Sequence, residues 1–127
     1  MRIFKTKGFS RFQRKEGIHD DALREAVARA ERGLIDADLG HGLIKQRVAR
    51  PGEGKRGGFR TIIAYRTTDR SAFLYGFAKS GQANISARDE RDLRDYGGMI
   101  LTLDTRGIEI MIRGHELTEV RVDEEED

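Results

Sequence analysis

The chain has 127 residues, 37% hydrophobic and 36% charged, which suits one domain with its own core and is too short for two. It contains no cysteine, so disulfides, thiolate zinc sites and cysteine nucleophiles are excluded. No apolar run approaches the roughly 18 residues of a membrane span, and the first residues lack the apolar core of a secretory signal. A cytoplasmic protein without membrane contact is expected.

The formal charge of +2 conceals an asymmetry. Residues 41–80 hold nine basic and two acidic side chains, whereas residues 1–40 hold nine and seven, and residues 81–122 six and eight. The last five residues, Asp123 to Asp127, are all acidic. A basic region confined to the middle of the chain is an electrostatic footprint for a polyanion. We expect one domain over residues 1–122 and a disordered acidic tail over 123–127, with shielding of the basic region as the tail's alternative role.

In chain order, Arg2 to Lys7 reads as a short strand, and Phe9 to Lys15 has helical spacing through Phe9 and Phe12. Asp20 and Asp21 form an N-cap and first turn for a helix through Arg32, with Leu23, Ala26, Val27, Ala30 and Leu34 as its buried stripe and Gly33 as its stop. Leu43 to Arg50 alternates as a strand, Ile44 and Val48 inward and Lys45 and Arg47 outward, ended by Pro51.

Next comes Arg50-Pro51-Gly52-Glu53-Gly54-Lys55-Arg56-Gly57-Gly58-Phe59-Arg60, a basic, glycine-rich loop entering an apolar strand. Glycines let backbone N–H groups approach a ligand, and Lys55, Arg56 and Arg60 supply charge suited to phosphate. A nucleotide P-loop is excluded, because Ala49 stands where its first glycine belongs and Arg56 where its serine or threonine belongs. RNA is the leading polyanion.

Phe59 to Thr67 is read as a strand with Arg60, Ile62, Ala64 and Arg66 on one face. After a turn at Thr68 to Ser71, Ala72 to Lys79 places Phe73, Tyr75, Phe77 and Lys79 on one face. Three strands with short links predict an antiparallel meander, its helices covering one side. Ser86 with Asp89 opens a helix bearing Leu93, Tyr96 and Ile100, weakened by Gly97-Gly98. Met99 to Ile112 reads either as a hairpin around Asp104 to Gly107 or as a helix capped by Asp104 and ended by Gly114. Glu116 to Val122 alternates like an edge strand. His19, His41 and His115 lack metal-ligand spacing and are read as structural or surface residues; no metal or cofactor is expected.

Three segments carry a resemblance: Ile44-Lys45-Gln46-Arg47-Val48-Ala49, Gly54-Lys55-Arg56-Gly57-Gly58-Phe59-Arg60 and Tyr75-Gly76-Phe77-Ala78-Lys79-Ser80. In order and spacing the sequence resembles the RelE/HigB-type toxins of bacterial type II toxin–antitoxin modules, over about residues 1–101. The resemblance implies an α+β fold: an N-terminal helix pair packed on a small antiparallel sheet, with a C-terminal helix or helices. It favours the helix over the hairpin after Asp104. The acidic tail is outside the family pattern.

The resemblance further implies a metal-independent endoribonuclease that cuts mRNA on the ribosome, inhibits translation and is restrained by a cognate antitoxin. Such antitoxins commonly carry a helix-turn-helix domain, so operator DNA is reached only through the complex. Cleavage of this kind needs removal of the 2′-hydroxyl proton, stabilisation of charge on the phosphoryl oxygens and protonation of the leaving 5′-oxygen. Arg60 is the first choice for the charge, followed by Arg47 or Arg66. Lys55 and Lys79 are the proton-transfer candidates, and Tyr75 stacks on a base or positions the phosphate. Lys45, Arg56, Gly57 and Gly58 complete the expected phosphate-binding set. Two rival readings stand beside this one: a non-catalytic RNA- or ribosome-binding module, and a ParE-like gyrase-inhibiting toxin of the same fold. The Lys55, Arg60 and Lys79 set argues against the latter, which needs no phosphate site.

Overall fold

Both faces of a twisted sheet are covered by helices in the computed structural model. It describes residues 1–50, 54–78 and 84–121, with backbone only at Arg50 and residues 54–57. The elements are β1 (Arg2–Thr6), α1 (Lys7–Glu16), α2 (Asp20–Glu31), β2 (Ala37–Gly40), β3 (Leu43–Arg50), β4 (Gly54–Arg66), β5 (Arg70–Ala78), α3 (Ala87–Thr102), α4 (Thr105–Arg113) and β6 (Leu117–Glu119). The sheet order is β2-β3-β4-β5-β1-β6. The meander β3-β4-β5 is antiparallel, as its short links require. β1 pairs parallel to β5, so the sheet is mixed rather than the small antiparallel one expected. The chain opens on this strand, and α1 and α2 follow it.

The two-residue period of the strands builds two cores, one on each face. On one, Phe9 of α1 and Leu23, Ala26, Val27 and Ala30 of α2 pack against Ile44, Val48, Phe59, Ile63 and Phe73. Phe9 lies 5.1 Å from Phe73, ring centre to ring centre, and Phe12 meets Phe59 edge-on at 5.4 Å. On the other face Leu43, Ile62, Ala64, Leu74 and Phe77 pack against Ile100 and Leu101 of α3 and Ile108 of α4. The expectation that helices cover one side is therefore corrected. Nearly continuous apolar runs such as Thr61 to Tyr65 reflect burial on both faces. Fully burying each such large side chain contributes about 1.5–3 kcal/mol.

Local chemistry explains the helix limits. Thr6 accepts from the Phe9 N–H to start α1, and Gly17, with φ 69°, stops it. Ser86 accepts from the Asp89 N–H, and Asp104 from the Gly107 N–H, so both expected caps form and residues 105–113 are helix rather than hairpin. The expected weakness at Gly97-Gly98 does not interrupt α3. A Cβ on Gly97 would come within 3.0 Å of the Ala64 Cβ and 3.1 Å of Leu74, so this glycine sets how closely α3 approaches the sheet.

Several details differ from the sequence reading. The N-cap of α2 is His19, with no side-chain cap bond, while Asp20 and Asp21 occupy the first turn. Leu34 lies beyond the helix and is exposed rather than part of its stripe. β2 is an additional strand, formed although it holds an aspartate and a glycine. The glycine-rich stretch after Gly54 is strand rather than loop. The β3–β4 ladder shifts register between Val48↔Phe59 and Arg50↔Gly54, an irregularity of the kind strands use to re-aim side chains. Pro51 and the acidic tail lie outside the described residues. Among the described residues no helix is long and apolar enough to cross a membrane.

Asp20 ties α2 to α1 and β1. Its carboxylate accepts from Lys5 Nζ at 2.9 Å and from Gln13 Nε2 at 2.7 Å. Burial opposes its ionisation, but those two hydrogen bonds and the charges of Lys5 and Arg24 outweigh burial and hold Asp20 below the ordinary carboxylate value. A depressed pKa stabilises the fold above the unfolded carboxylate pKa and loses that contribution as pH falls through the folded value. Asp20→Asn is expected to destabilise the protein by about 1 kcal/mol at neutral pH, after allowance for solvent screening. The deficit relative to wild type should narrow as pH falls from about 4 and close only below the depressed folded-state value. Urea unfolding at the two pH values measures it, and a deficit independent of pH would rule out the charge as its source.

Candidate functional site

Strand register places the candidate side chains. Residues paired across neighbouring strands point to the same face. Arg47, Arg60 and Phe77 form one such row, and Lys45, Ile62 and Tyr75 the next. All six lie on the face that carries α3, where Phe77 and Ile62 enter the core and Tyr75 packs against it. α3 crosses the neighbouring part of this face, around Leu43, Ala64 and Leu74. Near the start of α3, Asn84 Oδ1 receives a contact from Lys45 Nζ at 3.5 Å. The result is a small basic surface of Lys45, Arg47 and Arg60 bordered by the Tyr75 ring.

A bulge in β5 makes Tyr75 part of this surface. Ile62 pairs with Tyr75 but Ile63 pairs with Phe73, so Leu74 is the extra residue. Phe73 consequently faces the opposite core, and the expectation that Phe73, Tyr75 and Phe77 share one face is corrected. Beyond the bulge alternation resumes. Gly76 faces α1, and Tyr75 and Phe77 lie 5.9 Å apart with rings tilted by 37°.

Arg60 is half-buried, and its Nη1 atom is buried without a hydrogen-bond partner among the described residues. A buried donor left unmade is costly, about 1–3 kcal/mol and more for a charged group. A guanidinium donor with no partner among the described residues has the chemistry to meet an anion. Arg47, directly opposite, differs: its Nη2 donates to Asp36 Oδ1 at 3.2 Å, and its main-chain N–H donates to Asp36 Oδ2 at 2.7 Å. Burial pushes the Asp36 pKa up, but the Arg47 N–H, the Arg47 guanidinium and Arg29 outweigh it and hold the carboxylate below its ordinary value.

The other expected site residues fall into two groups. Arg66 is set apart at the far end of β4, six residues from Arg60 and thus about 20 Å away along the strand. There it makes a two-pronged pair with Asp69, at 2.7 and 3.0 Å. Gly57 and Gly58 belong to β4, with Gly58 buried. Lys55 and Arg56 are described as β4 backbone only, and Lys79 lies outside the described residues. Among the described residues no group of three or more histidine, aspartate or glutamate side chains could hold a metal ion.

Three polar residues absent from the expected set support the site. Gln46 is fully buried; its amide donates to the carbonyls of Ala26 and Leu34 and accepts from the Asp36 N–H. Arg29 is buried on α2, pairs with Glu25 at 2.9 Å and donates to the Arg47 carbonyl. Asp36 completes the set. A signal existed for two of them. Gln46 stands between Ile44 and Val48 on an apolar strand face, and Arg29 adjoins Ala26 and Ala30 on an apolar helix stripe.

A family model described as RelE toxin of RelE / RelB toxin-antitoxin system matches residues 1–120. No curated protein matches the chain. The match spans nearly the whole sequence, and the chain belongs to the RelE toxin family. A toxin of such a system has a cognate antitoxin as its partner.

Proposed function

We propose that this RelE-family toxin is an endoribonuclease that cleaves mRNA on the ribosome through attack of a 2′-hydroxyl on the adjacent phosphate. The observation that carries the reading is Arg60: a side chain on a sheet strand whose buried Nη1 has no hydrogen-bond partner among the described residues, beside Arg47, Lys45 and Tyr75. In the reaction the 2′-oxygen bonds to phosphorus as its proton leaves, and the bond from phosphorus to the 5′-oxygen breaks. The products are a 2′,3′-cyclic phosphate and a 5′-hydroxyl.

Arg60 donates to a non-bridging phosphoryl oxygen and stabilises the charge that builds there, the largest single contribution in such chemistry. Lys45 and Arg47 flank it and attract the backbone. Tyr75 offers a ring for a base to stack on, worth about 1–3 kcal/mol per base. Lys55 and Lys79 are proposed to carry the proton transfers, with a lysine among other cations releasing its proton more readily. The restraining antitoxin is proposed to carry a helix-turn-helix domain through which the complex reaches operator DNA.

Induction of the chain in bacteria, with mapping of mRNA 5′ ends, tests the proposal. The expected result is growth arrest accompanied by new cuts within translated mRNA. Arrest without cuts would defeat it in favour of a gyrase-directed or ribosome-docking toxin.

A further inference from the structure

Arg47 and Arg60 stand directly opposite each other, although like charges on paired strand positions repel. The Arg47 guanidinium, 43% exposed, is held by the Asp36 carboxylate, which is only 22% exposed. That carboxylate also accepts the Arg47 N–H, Arg29 donates to the Arg47 carbonyl, and Arg29 Nη1 lies 3.7 Å from Asp36. Gln46 fixes Asp36 in turn by accepting its N–H at 2.8 Å. Arg47 is therefore gripped at N–H, carbonyl and guanidinium, whereas Arg60 Nη1 is left without a partner among the described residues.

We propose that Asp36 is a positioning residue of the site: it fixes Arg47, offsets its charge, and thereby directs the phosphate to Arg60. Arg47 then shapes the field beside the phosphate without competing for it. Removing the carboxylate frees a second guanidinium to bind backbone phosphate wherever it lies. Binding then becomes stronger and less selective in position, and turnover declines.

The kinetic part of this inference rests on the endoribonuclease reading, and the binding part does not. Asp36→Asn keeps size and an acceptor for the Arg47 N–H but removes the charge, while Asp36→Glu restores the charge. The binding probe is a short single-stranded RNA carrying 2′-O-methyl groups at every position, so that no 2′-hydroxyl is free to attack and it cannot be cut. One added phosphate contact steepens the dependence of log affinity on log salt by about 0.7. In a translation mixture, turnover by Asp36→Asn falls on the order of tenfold or more, as small misplacements at a site do, with no rise in KM. Asp36→Glu recovers part of the turnover and the wild-type salt dependence. A folded Asp36→Asn protein with unchanged salt dependence, or with unchanged turnover, overturns the inference. If the wild type itself cuts nothing, the endoribonuclease reading fails, and the salt dependence alone decides the role of Asp36.

Discussion

Arg60→Ala is expected to lower mRNA cleavage by about 10²–10³-fold, the loss seen when one preorganised donor to a developing oxyanion is removed. The protein should remain folded. Arg60 is half-buried, and loss of a donor that has no partner among the described residues relieves a desolvation cost that partly offsets the lost packing of its aliphatic stem. Arg60→Lys is expected to recover little, because an ammonium lacks the planar fork that meets two phosphoryl oxygens at once. Arg66→Ala makes the contrast. Its guanidinium is paired with Asp69 at the other end of β4, so cleavage should change little. Cleavage rates of the three variants, alongside circular dichroism, check the set. Equal losses in Arg60→Ala and Arg66→Ala would mean that general positive charge, rather than a placed donor, governs activity.

The second large effect concerns Gly76, between Tyr75 and Phe77 of β5. A Cβ at this position would lie 2.4 Å from the Phe12 ring, well inside any real contact. Either Phe12 shifts, disturbing its edge-on contact with Phe59, or β5 moves and carries Tyr75 with it. Gly76→Ala is expected to cost about 1–3 kcal/mol, as overpacking does. The cost should shrink when Phe12 is shortened: in a cycle with Phe12→Leu, the double variant should be more stable than the two separate losses predict. Urea unfolding of the four proteins measures the coupling. Independent, additive losses would show that Phe12 is not what makes glycine necessary here.

Much of this architecture can be read from local chemistry. Ile44 and Val48 alternate with Lys45 and Arg47, which separates the core face of β3 from the site face. Asp104 and Gly114 bracket α4, and Ser86 opens α3, because caps are written in single residues. What escapes the sequence is whatever depends on partners distant along the chain. The parallel pairing of β1 with β5 joins Ile3 to Ser71, and no local pattern announces it. The bulge at Leu74 is invisible in composition, yet it moves Phe73 to the opposite face from Tyr75. Helices on both faces follow from a sheet that is apolar on both sides, a cue present in Thr61 to Tyr65 but outweighed by the charged ends of β4.

The site was legible in part for the same reason. Arg47 and Arg60 can be named from the motif segments, and register then places them opposite each other. Arg66 shares strand parity with Arg60 and was grouped with it, although strand length separates them. Asp36 had no local signature, because its role arises from α2 and β3 meeting at the turn into β2.

The most direct test of the central claim is the chemistry of the cut ends. Wild-type protein should leave a 2′,3′-cyclic phosphate on the upstream fragment and a 5′-hydroxyl on the downstream one. A single 2′-deoxy sugar at the cleavage position should abolish the cut. Fragments ending in a 3′-hydroxyl and a 5′-phosphate, with the deoxy-substituted message still cut, would contradict attack by the 2′-hydroxyl and the role assigned to Arg60 within it.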